Sequence, residues 1–156
     1  MEAIIRVNTF DEGTEISSIM GIEMYLQMRL GDANFPRQQL QVQTTFGKFP
    51  EASKTKQLQA GEWYHVALTW DLATKTIAYY VNGQLQSIST NHGKSDLTSI
   101  SLGDKVPDDE FGNGGDHNFY FGRSYTESHD LSRQFNGEIC DCLLYTSPSP
   151  RDGLLS

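Results

Sequence analysis

The stretch GDKVPDDEFGNGGDHN, residues 103–118, sets Asp104, Asp108, Asp109 and Asp116 among glycines and asparagines. Carboxylates and backbone carbonyls are the hard oxygen ligands that calcium prefers, so these aspartates are the candidate metal ligands and calcium the candidate cofactor. The spacing matches neither the EF-hand loop nor the glycine-rich calcium repeat, and a solvated acidic loop is the competing reading of the same residues. Hydrolysis needs a different arrangement. Glycoside cleavage takes two carboxyl groups facing each other across a cleft, about 5 to 9 Å apart, whereas Glu12 and Glu15 flank a turn and Asp108, Asp109 and Glu110 share a loop. His65 has no serine or cysteine in a nucleophile context beside it and reads as a strand histidine with a structural partner. No catalytic residue is assigned.

Binding groups concentrate on loops held by rigid sheets. GDANFPRQ (31–38), the acidic stretch and SYTESHDLSR (124–133) are the loops that meet this description, and Phe35, Arg37, Phe111, Tyr125 and His129 are their candidate ligand contacts. Aromatic rings with polar side chains around them suit sugars.

The segments that must position these loops read as strands. AIIRVNTF (3–10), ISSIMGIE (16–23), MYLQMRLG (24–31) and QLQVQTTF (39–46) are short and bounded by turn formers. In the third, Met24, Leu26, Met28 and Leu30 alternate with Tyr25, Gln27 and Arg29; in the fourth, Leu40 and Val42 alternate with Gln39, Gln41 and Gln43. A period of two gives each strand one apolar and one wetter face. Trp63 to Trp70 and Ile77 to Val81 predict paired strands across the loop DLATKT, and Asn82-Gly83 is a turn where φ must be positive. SISLG (99–103), FYFGRSY (119–125) and FNGEICD (135–141) complete the series. No helical period, heptad or internal repeat interrupts it. Many short strands at this spacing predict an all-β fold, an antiparallel β-sandwich.

Composition narrows the function classes. A net charge of −8 opposes binding to nucleic acid, whose affinity comes from Lys and Arg on phosphates, and no apolar run reaches the length of a membrane span. Two cysteines, Cys140 and Cys142, are too few for a zinc site or a disulfide framework, and Cys140 is expected to be buried and inert.

GEWYHVALTWDLATKTIAYYVNGQL (61–85) resembles the G-x-W-Y/H-H-V-A-x-T-x-D…Y-V-N-G signature of laminin-G-like, concanavalin A-like jelly-roll domains. Gly61, Trp63, Tyr64, His65, Val66, Ala67, Thr69, Asp71, Tyr80, Val81, Asn82 and Gly83 carry it. FYFGRSY is similar to the family's F-x-I-G strand, FNGEICD to its F-x-G-x-I-x-E/D element, and EAIIRVNTF to an early strand. The resemblance implies a concanavalin A-like jelly roll over residues 2–141, incomplete at both ends, often with one calcium near its binding edge. The E-x-D-x-x-E string of the jelly-roll glucanases does not occur in this sequence. The resemblance therefore implies a non-enzymatic module binding a glycan or an extracellular protein. It further implies an extracellular or cell-surface location beside other domains of one parent chain, as in bacterial members of the family. The different-class alternative is a structural spacer. Trp63, Val66 and Leu68 are expected to pack in the core.

The C-terminus carries a separate expectation. Cys142 to Asp152 read CLLYTSPSPRD, the translation of the adapter end used in transposase-prepared sequencing libraries. Residues 1–141 are accordingly the domain and 142–156 an adapter-derived tail, excluded from fold reasoning. Met1 leads directly into a strand-like segment without a signal peptide, and reads as an internal methionine or a start at the edge of a fragment.

Overall fold

A computed structural model describes residues 1–10, 16–22, 26–32, 35–44, 47–49, 56–71, 76–90, 119–125 and 131–145. Its first sheet joins β1 (Glu2–Val7), β6 (Trp63–Asp71), β7 (Thr76–Val81), β8 (Gln84–Thr90) and β12 (Gly137–Leu143) in the order β12-β1-β6-β7-β8. The second joins β2 (Ser17–Ile22), β3 (Leu26–Asp32), β4 (Phe35–Thr44), β5 (Gly47–Phe49) and β9 (Tyr120–Phe121) in the order β5-β4-β3-β2-β9. A short ribbon pairs β10 (Ser124–Tyr125) with β11 (Leu131–Ser132). Among the described residues every strand pairing is antiparallel and there is no helix.

Alternation decides which side chains enter the core. Ala3, Ile5 and Val7 of β1, Tyr64, Val66 and Leu68 of β6, and Ile77, Tyr79 and Val81 of β7 face inward from the first sheet. Met20, Leu26, Met28, Leu30, Leu40 and Val42 meet them from the second. Fully burying a side chain such as Ile5 or Leu30 contributes about 1.5 to 3 kcal/mol, so this shared layer is what holds the sheets together. The expected antiparallel sandwich is the observed one. Between β7 and β8, Asn82 and Gly83 have φ of 51° and 72°, the two positive values that a tight hairpin turn with the strands' own twist requires.

The same alternation corrects several expectations. Trp63 is 44% exposed, because an odd-numbered residue on β6 cannot share a face with Val66 and Leu68, which are buried. Cys140 is exposed for the same reason, its neighbour Ile139 being the one that turns toward the core. FYFGRSY is two short strands rather than one: Gly122, at φ 71°, bends the chain, and its N–H donates to the Ile19 carbonyl at 2.8 Å. The expected loop at 31–38 is largely strand, with Gly31 and Asp32 ending β3 and Phe35 to Gln38 beginning β4. SISLG (99–103) lies outside the described residues.

The last strand crosses the expected end of the domain. β12 pairs with β1 from Gly137↔Val7 to Leu143↔Glu2, with a register shift between Glu2 and Ile4 where Asp141 has φ 48°. Cys142 packs partly against the core, and the Tyr145 hydroxyl donates to Glu2 Oε1 at 3.3 Å.

Candidate functional site

The face of the second sheet that points away from the core is the unusual part of the molecule. Gln27 and Arg29, expected on a wetter face of β3, are 0% and 1% exposed. Ser18, Asp32, Gln39, Gln41 and Ser124 are buried with them. A buried charge is costly unless it is paired and hydrogen-bonded, and this one is. Arg29 Nε donates to Gln41 Oε1 at 2.7 Å, Nη1 donates to Gln27 Oε1 at 3.3 Å, and Nη2 makes an ion pair with Asp32.

The backbone explains how Asp32 reaches Arg29. Residues three apart on a regular strand point to opposite faces. Here the β3–β4 register shifts between Leu30 and Asp32, where Gly31 takes φ 71°, and the irregularity returns Asp32 to the Arg29 side. From Arg29 the network continues across β2. Gln27 Nε2 donates to Ser18 Oγ at 2.8 Å, and Ser18 Oγ donates to Ser124 Oγ at 2.7 Å, fixing the β10–β11 ribbon against the sheet. Gln41 Nε2 is buried without a hydrogen-bond partner among the described residues.

This network borders two of the three expected binding segments. Asp32 is the register partner of Phe35 at the start of β4, and Arg37, half-buried, lies two residues further on. At the other end, Ser124 precedes Tyr125 on β10. The strand positions of Phe35, Arg37 and Tyr125 are thereby brought to the margins of one polar face. Phe111 and His129 lie outside the described residues, as do Asp104, Asp108, Asp109 and Asp116. Among the described residues, no group of three or more His, Cys, Asp or Glu is placed to hold a metal ion.

Asp32 is the network's one carboxylate among the described residues and is neutralised by Arg29, so it does not form the facing pair that glycoside cleavage uses. His65, on the opposite sheet, places Nε2 3.2 Å from Glu2 Oε2, a structural partner of the kind expected for it. Arg29 is the residue that sequence reasoning missed. The signal was the run of glutamines beside it: Gln27, Gln39 and Gln41 are neutral groups that both donate and accept, which suits a buried network better than a solvated face.

Two antiparallel sheets over one core, with polar residues massed on the face of the second sheet that points away from it, define a β-sandwich. A family model described as the concanavalin A-like lectin/glucanases superfamily, of laminin G type, matches residues 2–151, and the chain belongs to that family. Among solved structures it is similar to a proposed carbohydrate-binding protein from Bacteroides ovatus, with 29% identity and a TM-score of 0.64. That similarity covers 88% of this chain and 34% of the other, so the chain spans about a third of that protein's length. No curated protein matches.

Proposed function

We propose that this chain is a glycan-binding module without catalytic activity, acting at the cell surface or outside the cell as part of a larger protein. The similarity to the Bacteroides ovatus protein carries the reading, because 29% identity across 88% of the chain extends well beyond shared architecture. The polar face around Arg29 supports it, holding the segments that bear Phe35, Arg37 and Tyr125 in a fixed relation. A glycan array probed with the full chain tests it. Reproducible hits that are lost in Arg37→Ala, Tyr125→Ala or Phe111→Ala support the reading, and silence across a broad array overturns it.

One observation favours a spacer without a ligand of its own. The described polar groups on this face are buried and largely bonded to one another, as in a structural core. In that case the substitutions above leave every binding measurement unchanged and alter only stability.

In the glycan-binding reading residues 1–141 are natural sequence of a sandwich incomplete at both ends, and 142–156 are adapter-encoded. Sequencing the source DNA across the codon for Cys142 tests this. Adapter bases there support it; genomic continuity overturns it.

A further inference from the structure

The first sheet carries an exposed feature that the Arg29 face does not use. Trp63 stands at the start of β6, 44% exposed, on the side away from the core. Its register partner on β1 is Arg6, and the register partner of Arg6 on β12 is Glu138. The three therefore form one row across three strands. The Arg6 guanidinium lies 5.2 Å from the Trp63 ring centroid and makes an ion pair with Glu138. Arg6 thus holds the ring from the β1 side. On the other side β6 has no strand partner at this level among the described residues, because its pairing with β7 begins at Val66↔Val81.

We propose that Trp63, Arg6 and Glu138 form a second glycan-contact site, one that receives a neutral pyranose. The proposal rests on the glycan-binding reading above and adds a location and a ligand charge to it. A half-exposed indole held in place by a neighbour offers an apolar face to the C–H side of a sugar ring at little ordering cost. Beside it, the side chains of Arg6 and Glu138 are 36% and 50% exposed, and a single oxygen of Glu138 is engaged by Arg6 among the described residues. One side chain then offers donors and the other an acceptor, which is what vicinal hydroxyls need. Asn8 and Asn136, exposed where β1 ends and β12 begins and joined by an Asn8 N–H to Asn136 carbonyl bond of 2.9 Å, extend the polar rim. The preference for a neutral sugar follows from charge: Glu138 neutralises Arg6, and a chain of net charge −8 repels uronates and sulfates.

Calorimetric titration of the full chain with cellohexaose, xylohexaose, mannohexaose, maltohexaose and an oligogalacturonate tests this. The expected result is that a neutral hexasaccharide binds and the galacturonate binds at least about tenfold more weakly. Trp63→Ala then weakens the neutral ligand about tenfold or more, Trp63→Phe retains most of the affinity, and the melting temperature confirms that both variants are folded. Unchanged affinity in Trp63→Ala, with binding lost in Arg37→Ala, overturns the second site and leaves the glycan-binding reading standing. A preference for the galacturonate overturns the neutral assignment. Absence of binding by the parent chain overturns both.

Discussion

Arg29 and Asp32 form an ion pair beneath the outer face of the second sheet, with side chains 1% and 3% exposed. Removing one partner strands the other charge away from water, which typically costs about 3 to 5 kcal/mol, whereas apolar replacement of both is often close to neutral. Asp32→Asn is therefore expected to lower the urea-unfolding free energy by about 3 kcal/mol or more. The double variant Arg29→Met with Asp32→Leu is expected to recover most of that loss. A double-mutant cycle reads the coupling directly. A loss below about 1 kcal/mol in the single variant would mean that the pair is solvated.

Trp63 and Leu68 lie on opposite faces of one strand and separate by stability. Leu68→Ala opens a cavity in the shared layer and is expected to cost about 2 to 5 kcal/mol. Trp63→Ala, on the open face, is expected to cost about 1 kcal/mol or less. Chemical denaturation of both variants checks the ordering, and a larger loss at Trp63 would contradict it.

Tyr79 is fully buried, its hydroxyl has no hydrogen-bond partner among the described residues, and burial raises its pKa well above the usual value near 10. Tyr79→Phe removes an unsatisfied polar atom and is expected to leave stability unchanged or to raise it by up to about 1 kcal/mol. The pH dependence has a definite sign. Above pH 10 the unfolded tyrosine loses its proton while the folded one keeps it, so this group's contribution is complete below that pH and is lost as pH rises toward the folded pKa. The phenylalanine variant should lose stability less steeply than the parent between pH 10 and 11.5. Identical slopes would show that the hydroxyl reaches water.

For the acidic segment, the calcium reading and the solvated-loop reading differ in a melting curve. Millimolar calcium chloride should raise the melting temperature if Asp104, Asp108, Asp109 and Asp116 hold the ion, with the effect removed by chelator and by Asp104→Asn with Asp108→Asn. A solvated loop predicts no shift in any of these.

The sandwich was legible because the strands alternate cleanly: Ala3, Ile5 and Val7 on β1, and Leu40 and Val42 on β4, fall two residues apart on one buried face, and Asn82-Gly83 announces its turn. What alternation within a strand cannot give is what lies above the other face. Ser18 and Ser124, which join β2 to β10, are 106 residues apart, and the approach of Asp32 to Arg29 depends on an irregularity at Gly31. Gln27 and Arg29 therefore read as wet although they are buried. Trp63 and Cys140 were misplaced for a simpler reason. Large aromatics and free cysteines favour interiors, but parity along the strand decides: the even-numbered neighbours of Trp63 and the odd-numbered neighbour of Cys140 occupy the inward positions.

In the proposed function this sandwich binds a glycan and leaves it intact. Saturation-transfer NMR of the full chain with neutral hexasaccharides, followed over a day, tests both halves in one sample. The expected result is transfer to the sugar ring protons of at least one oligosaccharide and an unchanged set of anomeric signals. No transfer across the panel, or new reducing-end signals as the sugar shortens, would contradict it.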